Sequence, residues 1–459
     1  MEKSNALQTR ISVAACKMTR WVLRKTGRGG TALPGKVAQF FAKDILTTVS
    51  HGMDVLVVTG TNGKTTTAKM MEHAFTSAGY DCLSNQSGAN LLSGVTAELT
   101  CGADWTGRPK THFAVIECDE GALKQVVPEV KPKVIVVTNF FRDQLDRYGE
   151  VTTTVNQIRE GIQKVPEAIL CLNADDSLVA SLAEGVPNPV FWYGLDTPSG
   201  TGKDPQISDA RYCIRCGSAY EYRYHTYAHL GDYYCPKCGI QRPKTDVAVT
   251  KIDRISSDGS NIVLRIGSRE YEATVALPAL YNIYNAVAAV CACTAFGLSA
   301  KELLASLSNV HSSFGRMENF KLGDKRVQMI LVKNPAGCNE ALSYVTSLDE
   351  DLNLVLGLND RTADGHDISW IWDADYEQLA EDAHIQNIIV CGDRAQDMQL
   401  RLKYAGCDEN RIVLENDKGK LLERMKEGTL PLYVLPNYTA MLELRTLLQQ
   451  ETGAKKFWE

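Results

Sequence analysis

The sequence predicts an α/β protein in which a parallel sheet carries a phosphate-binding loop, a four-cysteine module is inserted, and a second α/β unit follows. Three observations predict it. "DVLVVTGTNGKTTTAKMMEHAF" sets a buried strand (Val55 to Val58), a glycine loop and a helix in that order. Cys213, Cys216, Cys235 and Cys238 form C-x2-C-x18-C-x2-C, the spacing of a tetrahedral thiolate site. Beyond about Phe320, the apolar runs "VQMILV", "LNLVLGL", "NIIVCGD" and "PLYVLP" read as strands of a further sheet.

Composition sets the outer limits. A chain of 459 residues is too long for one ordinary core, and about 150 residues per domain gives roughly three domains. Hydrophobic content of 44% with 23% charge is ordinary for a folded protein and excludes a largely disordered one. A net charge of -6 speaks against broad nucleic-acid binding, which needs a strongly basic face. The interval from Arg10 to Lys36 nevertheless holds basic residues and no acidic one. It reads either as a solvated face or as a region attracted to an anionic membrane surface or a phosphate-bearing substrate. No apolar run of about 18 residues occurs, so no spanning helix is expected. Lys17 and Arg20 interrupt "ISVAACKMTRWVLRK" and spoil it as a signal peptide, so the chain is expected to stay in the cytoplasm.

Along the chain, "VIVVTNF", "AILCLNADD" and "PVFWYGL" continue the first sheet, and the phosphate site falls at the carboxyl ends of its strands. The insert runs from about Asp209 to Lys244. Gly217 and Gly239 follow the second cysteine of each pair, where a chain turning round a metal needs positive φ. A structural zinc ribbon is the expectation, with a redox pair or unligated buried thiols as alternatives. With four protein thiolates no coordination position is left open for chemistry, and His225 and His229 are not needed as ligands. The aromatics of "YEYRYHTYAHLGDYY" read as cover for this module rather than as a platform for bases. "VAVTKIDRISSDGSNIVLRIGSREYEATVAL" then alternates like antiparallel strands, with a hairpin at "SDGS". The remaining cysteines sit singly in apolar stretches and read as small buried hydrophobes.

In the phosphate loop, the backbone N–H groups of Gly60, Thr61, Asn62 and Gly63, with the start of the helix at Lys64, Thr65 and Thr66, would cradle phosphate oxygens. Lys64 would reach the β- and γ-phosphates, and the Thr65 hydroxyl would ligate magnesium. The loop is shorter than G-x-x-x-x-G-K-[ST], because Val58 stands five residues before Gly63.

"TGTNGKTT" is similar to the phosphate loop of the Mur ligases and folylpolyglutamate synthetases, and four later segments resemble the same family in the same order. "HFAVIECDEGAL" puts Glu117 where these ligases hold magnesium. "VIVVTNFFRDQLDRYG" supplies Asn139, Asp143 and Asp146. "LYNIYNAVAAV" resembles the helix that reads adenine, through Asn282 and Asn285. "FGRMENF" supplies Arg316, which in relatives approaches the nucleotide phosphates or ribose. The departures narrow the match. Gln144 replaces a metal-binding histidine, no lysine stands between Val151 and Gln163 to be carbamylated, and Lys333 in "ILVKNPAG" replaces another histidine.

One branch of the family resembles this chain at all these points: the MurT ligase subunits of lipid II isoglutaminyl synthase. Here "GRGGTALPGKVA", the cysteine quartet, "LVKNPAG" and "ADGHDISWIWDADYEQL" carry the resemblance over nearly the whole chain. It implies a Mur-ligase-like central domain over 51–316, preceded by a basic segment over 1–50 and followed by a C-terminal Rossmann-like domain over 317–459. It also implies ATP, Mg2+ and structural Zn2+ as cofactors and a GatD-type glutaminase as heterodimer partner. The implied substrate is lipid II at the inner face of the membrane, and no nucleic acid is involved. The implied reaction is amidation of the α-carboxyl of D-isoglutamate to D-isoglutamine through an acyl phosphate, with Lys64 and Glu117 catalytic. In the acidic loop, the resemblance assigns Asp367 to the partner's Cys-His pair, with Asp364 the fallback. Without that resemblance, Asp360, Asp364 and Asp367 read as Asx turns or helix caps. Trp370 and Trp372 divide between core and interface in an order the sequence leaves open. Two rival readings remain: an amino-acid-adding ligase, saturable by one amino acid without a glutaminase, and a zinc-ribbon nucleic-acid-binding NTPase, stimulated by nucleic acid and salt-sensitive.

Overall fold

The computed structural model describes residues 4–26, 31–85, 89–142, 151–199, 209–310 and 316–453. Its first sheet has nine strands among the described residues, in the order β11-β10-β9-β6-β5-β4-β1-β3-β2. The parallel strands are β1 (Asp54–Thr59), β2 (Cys82–Ser84), β3 (Phe113–Glu117), β4 (Val134–Val137), β5 (Ile169–Asn173) and β6 (Val190–Leu195). The sequence expectation of β4, β5 and β6 in one parallel sheet with β1 holds. β1 and β4 are near-continuous Val/Leu/Ile runs because both faces of a parallel sheet are covered. Alternation along β1 divides them: Leu56 and Val58 enter one apolar layer, Val55 and Val57 the other.

Two helical layers flank this sheet. Helix Lys64–Ser77 and helix Leu280–Phe296 lie on the Leu56/Val58 side. Residues 282–293 of the second are buried all round, and its alanine-rich sequence lets neighbours approach closely. On the other side lie Leu123–Val130, Val151–Gln163 and three N-terminal helices, Ala6–Lys25, Leu33–Phe41 and Ile45–Ser50. The sequence reading treated that N-terminal region as a basic segment; here it is helical. A capping box between Asn5 and Gln8 starts the first helix, and Arg20 pairs with Glu98 at 3.0 Å. At Gly35 any Cβ would run into the Ser93 carbonyl, so glycine lets helix Leu33–Phe41 touch helix Leu92–Gly102.

The four-cysteine module carries a two-stranded sheet, β7 (Glu221–His225) with β8 (Gly231–Tyr234). It is seated on Asp175, which follows β5 and is wholly buried. Asp175 accepts from Arg242 Nε (2.6 Å), Tyr284 Oη (2.5 Å) and Leu195 N (2.9 Å), while Gly231 N donates to its carbonyl. Burial raises the Asp175 carboxyl above its ordinary range, and Arg242 opposes that rise. Next come β9 (Val247–Ser256), β10 (Gly259–Ile266) and β11 (Arg269–Val275), antiparallel as expected, with the first hairpin at the predicted place.

A second sheet has the order β12-β13-β17-β14-β15-β16. An antiparallel edge pair, β12 (Arg316–Leu322) with β13 (Lys325–Ile330), leads into parallel β14 (Leu352–Gly357), β15 (Ile385–Cys391), β16 (Ile412–Leu414) and β17 (Leu432–Pro436). β12 and the short β16 are additions to the four strands the sequence indicated. Apolar layers cover both faces of this sheet. Ala279 and Tyr281, at the start of helix Leu280–Phe296, pack into one of them and join the two sheets.

Candidate active site

Strand register assembles the site. Parallel pairing of β1 with β3 sets Val58 beside Glu117, and pairing with β4 sets Thr59 beside Val137. The loop after β1, the end of β3 and the Thr138–Asn139 turn after β4 therefore meet at the carboxyl edge, where ligands bind in such sheets.

The loop itself is held from several sides. Asn139 accepts from Asn62 N at 2.9 Å and donates to Asn62 O at 3.2 Å, and Thr61 N donates to Asn139 O. Thr138 Oγ1 donates to Asn62 O at 2.7 Å. Gly60 and Gly63 have φ of 118° and 85°, where L-residues are strained. Helix Lys64–Ser77 starts at Gly63 without a side-chain cap. Its first N–H groups thus face the loop, the arrangement that binds phosphate.

Lys64 is buried. Its ammonium donates to Gly60 O (2.6 Å) and Thr61 O (3.2 Å) and pairs with Glu120 at 3.1 Å. Burial lifts the Glu120 carboxyl above its usual range, while Lys64 and, from the second sheet's side, Lys333 pull it back. Thr65 Oγ1 donates to Glu117 Oε2 at 2.6 Å, so the two expected magnesium ligands already touch. Glu117 is buried, and its other oxygen accepts from Asn90 at 3.1 Å. This hydroxyl and carboxylate suit a hard cation bound through oxygen. Thr66 is buried in the helix's first turn.

Asn282 and Asn285 are buried and bonded to each other at 3.1 Å. Asn285 also accepts from Thr67 and packs against Gly63, which fixes the loop from beneath. From the second sheet, Asn334 caps helix Pro335–Thr346 and donates to Asn62 at 3.1 Å. Glu120, Asn90 and Asn334 were not singled out from sequence. The run of acids at the end of β3, "ECDE", was the available signal for Glu120; nothing local marks the other two. Arg316 opens β12, but its side chain, like Asp143, Gln144 and Asp146, lies outside the described residues.

The quartet is compact. The four Sγ atoms lie within 4.8 Å of one another, with Cys213–Cys238 and Cys216–Cys235 both at 3.5 Å. Zinc–sulfur bonds of about 2.3 Å give tetrahedron edges of roughly 3.8 Å, so the thiols fit that metal. Two matching turns present them: Gly217 N donates to Cys213 O and Gly239 N to Cys235 O, with φ of 71° and 76° at the glycines.

The acidic loop leaves the carboxyl end of β14. Asp364 is buried and accepts from Thr439 N at 2.8 Å and from the Thr439 hydroxyl. Asp367 is exposed and accepts from Ser369 N at 2.8 Å. Those Ser369 hydrogen bonds hold its carboxyl below the usual range, so it stays ionised. His366 beside it is exposed as well. Arg401 clamps the turn that follows, donating to Ile371 O (3.0 Å) and Ala374 O (2.7 Å). Trp370 packs against the core, whereas Trp372 is 47% exposed and meets Tyr404, 72% exposed, edge to face at 5.6 Å. Asp373 reaches Arg142 of the first sheet's loops at 3.7 Å.

Sheet order, phosphate loop and the paired Thr65 and Glu117 define a Mur-type P-loop protein with a second α/β unit closing over the loop. Comparison with known proteins agrees: residues 58–217 match the Mur ligase middle domain and residues 331–441 the MurT ligase C-terminal family. The MurT subunit of lipid II isoglutaminyl synthase (glutamine-hydrolyzing) from Streptococcus pneumoniae is 36% identical over 98% of this chain and 99% of its own. Its Staphylococcus aureus counterpart is 36% identical over 94% and 95%. Among solved structures, MurF from Acinetobacter baumannii superposes with a TM-score of 0.67 at 16% identity, over 92% of this chain and 81% of that one. The chain belongs to the MurT family.

Proposed function

We propose that this chain is the ATP-consuming subunit of a glutamine-dependent enzyme that amidates the α-carboxyl of D-isoglutamate in lipid II; the relatives' name, a subunit of a glutamine-hydrolyzing lipid II isoglutaminyl synthase, supports the reading. A carboxylate resists ammonia because oxide would have to leave. Transfer of the γ-phosphoryl group from ATP to a carboxylate oxygen, with ADP leaving, gives an acyl phosphate. Ammonia then adds to its carbonyl carbon, phosphate leaves with the acyl C–O bonding pair, and nitrogen loses a proton. Lys64 offsets charge on the phosphoryl oxygens once it swings from Glu120, and the loop N–H groups hold them in place. Magnesium, when bound at Thr65 and Glu117, adds Lewis-acid charge stabilisation. Asn139, Asn282, Asn285 and Arg316 are assigned to the loop and nucleotide, and the quartet to one structural zinc. We place the divisions of the chain at 1–50, 51–316 (insert 209–244) and 317–459.

Ammonia is assigned to a GatD-type glutaminase docking on the acidic loop. One observation carries this: Asp364 is consumed by Thr439, whereas Asp367 is presented to solvent, ionised, just ahead of the turn that Arg401 braces. Such a carboxylate completes a triad by fixing a histidine tautomer. Exposed Trp372, five residues further on, and the Tyr404 ring it meets offer the anchors an interface needs. Asp367→Asn in the two-subunit complex is expected to remove glutamine hydrolysis by orders of magnitude while assembly persists. Unchanged hydrolysis removes Asp367 from the triad. With a lipid-linked substrate, the enzyme is assigned to the inner face of the membrane.

A further inference from the structure

Helix Ala6–Lys25 is amphipathic the wrong way round. The face it turns inward is small and partly polar: Thr9, Ser12, Val13 and Cys16 are buried. The face it turns outward carries Leu7 (67% exposed), Ile11 (42%), Met18 (65%), Trp21 (58%) and Val22 (45%). Steps of four, seven and three residues from Leu7 to Ile11 to Met18 to Trp21 put these side chains on one stripe of a helix. Large apolar side chains so arranged gain nothing from this fold and mark a surface that something covers.

Charge selects the occupant. Between Arg10 and Lys36 the chain has no Asp or Glu, and Arg10, Arg24 and Lys25 are exposed along the stripe. Two exposed tryptophans carry lysines over their rings, Lys25 on Trp21 at 4.4 Å and Lys17 on Trp105 at 4.8 Å. A second copy of this face would set the cationic rims against each other. A bilayer with anionic headgroups satisfies both parts at once: acyl chains accept the stripe, phosphates accept the rim, and indoles sit at the boundary between them. No helix among the described residues is long and apolar enough to cross a membrane, so the contact lies in the surface plane.

We propose that the outer face of helix Ala6–Lys25 is the docking surface by which this chain seats itself on an anionic phospholipid bilayer. The inference rests on the reading of lipid II as substrate and names the residues that bring the enzyme to it.

Flotation of the full chain with phosphatidylglycerol-containing vesicles and with vesicles of phosphatidylcholine alone tests this. The wild-type chain is expected to float with the anionic vesicles and to be released by salt. Met18→Glu/Trp21→Glu is expected to stay at the bottom of the gradient, and Arg24→Gln/Lys25→Gln to bind more weakly by about fivefold per charge removed. ATP-dependent amidation of a soluble stem peptide with ammonium is expected to be the same in all three proteins, which shows that the variants are folded. Failure of the wild-type chain to float, or equal flotation of the variants, overturns the proposal. So does a Met18→Glu/Trp21→Glu chain that floats normally but loses a protein partner or a dimer seen in the wild type. A wild-type chain that floats but amidates no peptide leaves the docking surface standing and removes the functional reading instead.

Discussion

Gly63→Ala probes the geometry of the phosphate loop most sharply. At a φ of 85° an added Cβ would fall far inside 3.0 Å of the Asn285 side-chain oxygen, so two costs are incurred. The left-handed conformation costs an L-residue about 1–2 kcal/mol. Displacing Asn285 from Asn282 and Thr67 forfeits about one hydrogen bond, roughly 0.5–1.5 kcal/mol. Together these give about 1.5–3.5 kcal/mol, or about 13- to 370-fold in the affinity of the formed loop for nucleotide. Calorimetric titration with ATP and magnesium reads this directly. The second cost vanishes when Asn285 is shortened, so in an Asn285→Ala background Gly63→Ala is expected to cost only the first part. A loss below about threefold in the wild-type background, or the same loss in both, refutes the clash and the loop geometry behind it.

Lys64→Ala is expected to abolish ATP-dependent amidation while the purified variant keeps one tightly bound zinc per chain by metal analysis; full activity would remove Lys64 from the mechanism. Glu340, on helix Pro335–Thr346, is only partly exposed, and desolvation pushes its carboxyl up to about 8 from an ordinary 4.5. The folded state therefore holds a proton that the unfolded state releases, and stability falls as pH rises from 4.5 to 8 and then levels. Thermal melting of Glu340→Gln against the parent is expected to show the variant gaining Tm relative to wild type across that window; a constant difference contradicts it.

Much of the central machinery was legible in the sequence because it is local. A buried strand, two left-handed glycines and a helix start define the phosphate loop within a dozen residues, and four cysteines at metal spacing lie on two matching turns. That β4, β5 and β6 join β1 in one parallel sheet followed from apolar runs of the kind a doubly covered sheet requires. Pairings that depend on tertiary register were invisible. Asn334 meets Asn62 across 272 positions, and Asn90 meets Glu117 across 27. The first N-terminal helix escaped because its buried face, Thr9, Ser12, Val13 and Cys16, is small and partly polar, so apolar periodicity pointed to the outer side. β16 is only three residues long, too short for alternation to register. The resemblance ranked Asp367 ahead of Asp364, but nothing local in the sequence showed that Asp364 is buried against Thr439 while Asp367 stays exposed.

In the proposed reaction, activation of the carboxylate falls to this chain and release of ammonia to its partner. The direct measurement follows amide formation on lipid II by the purified chain with ATP and magnesium, supplying either glutamine or ammonium, with and without the glutaminase. Amidation is predicted with ammonium alone, and with glutamine only when the partner is present. Product formed from glutamine by the isolated chain would contradict it.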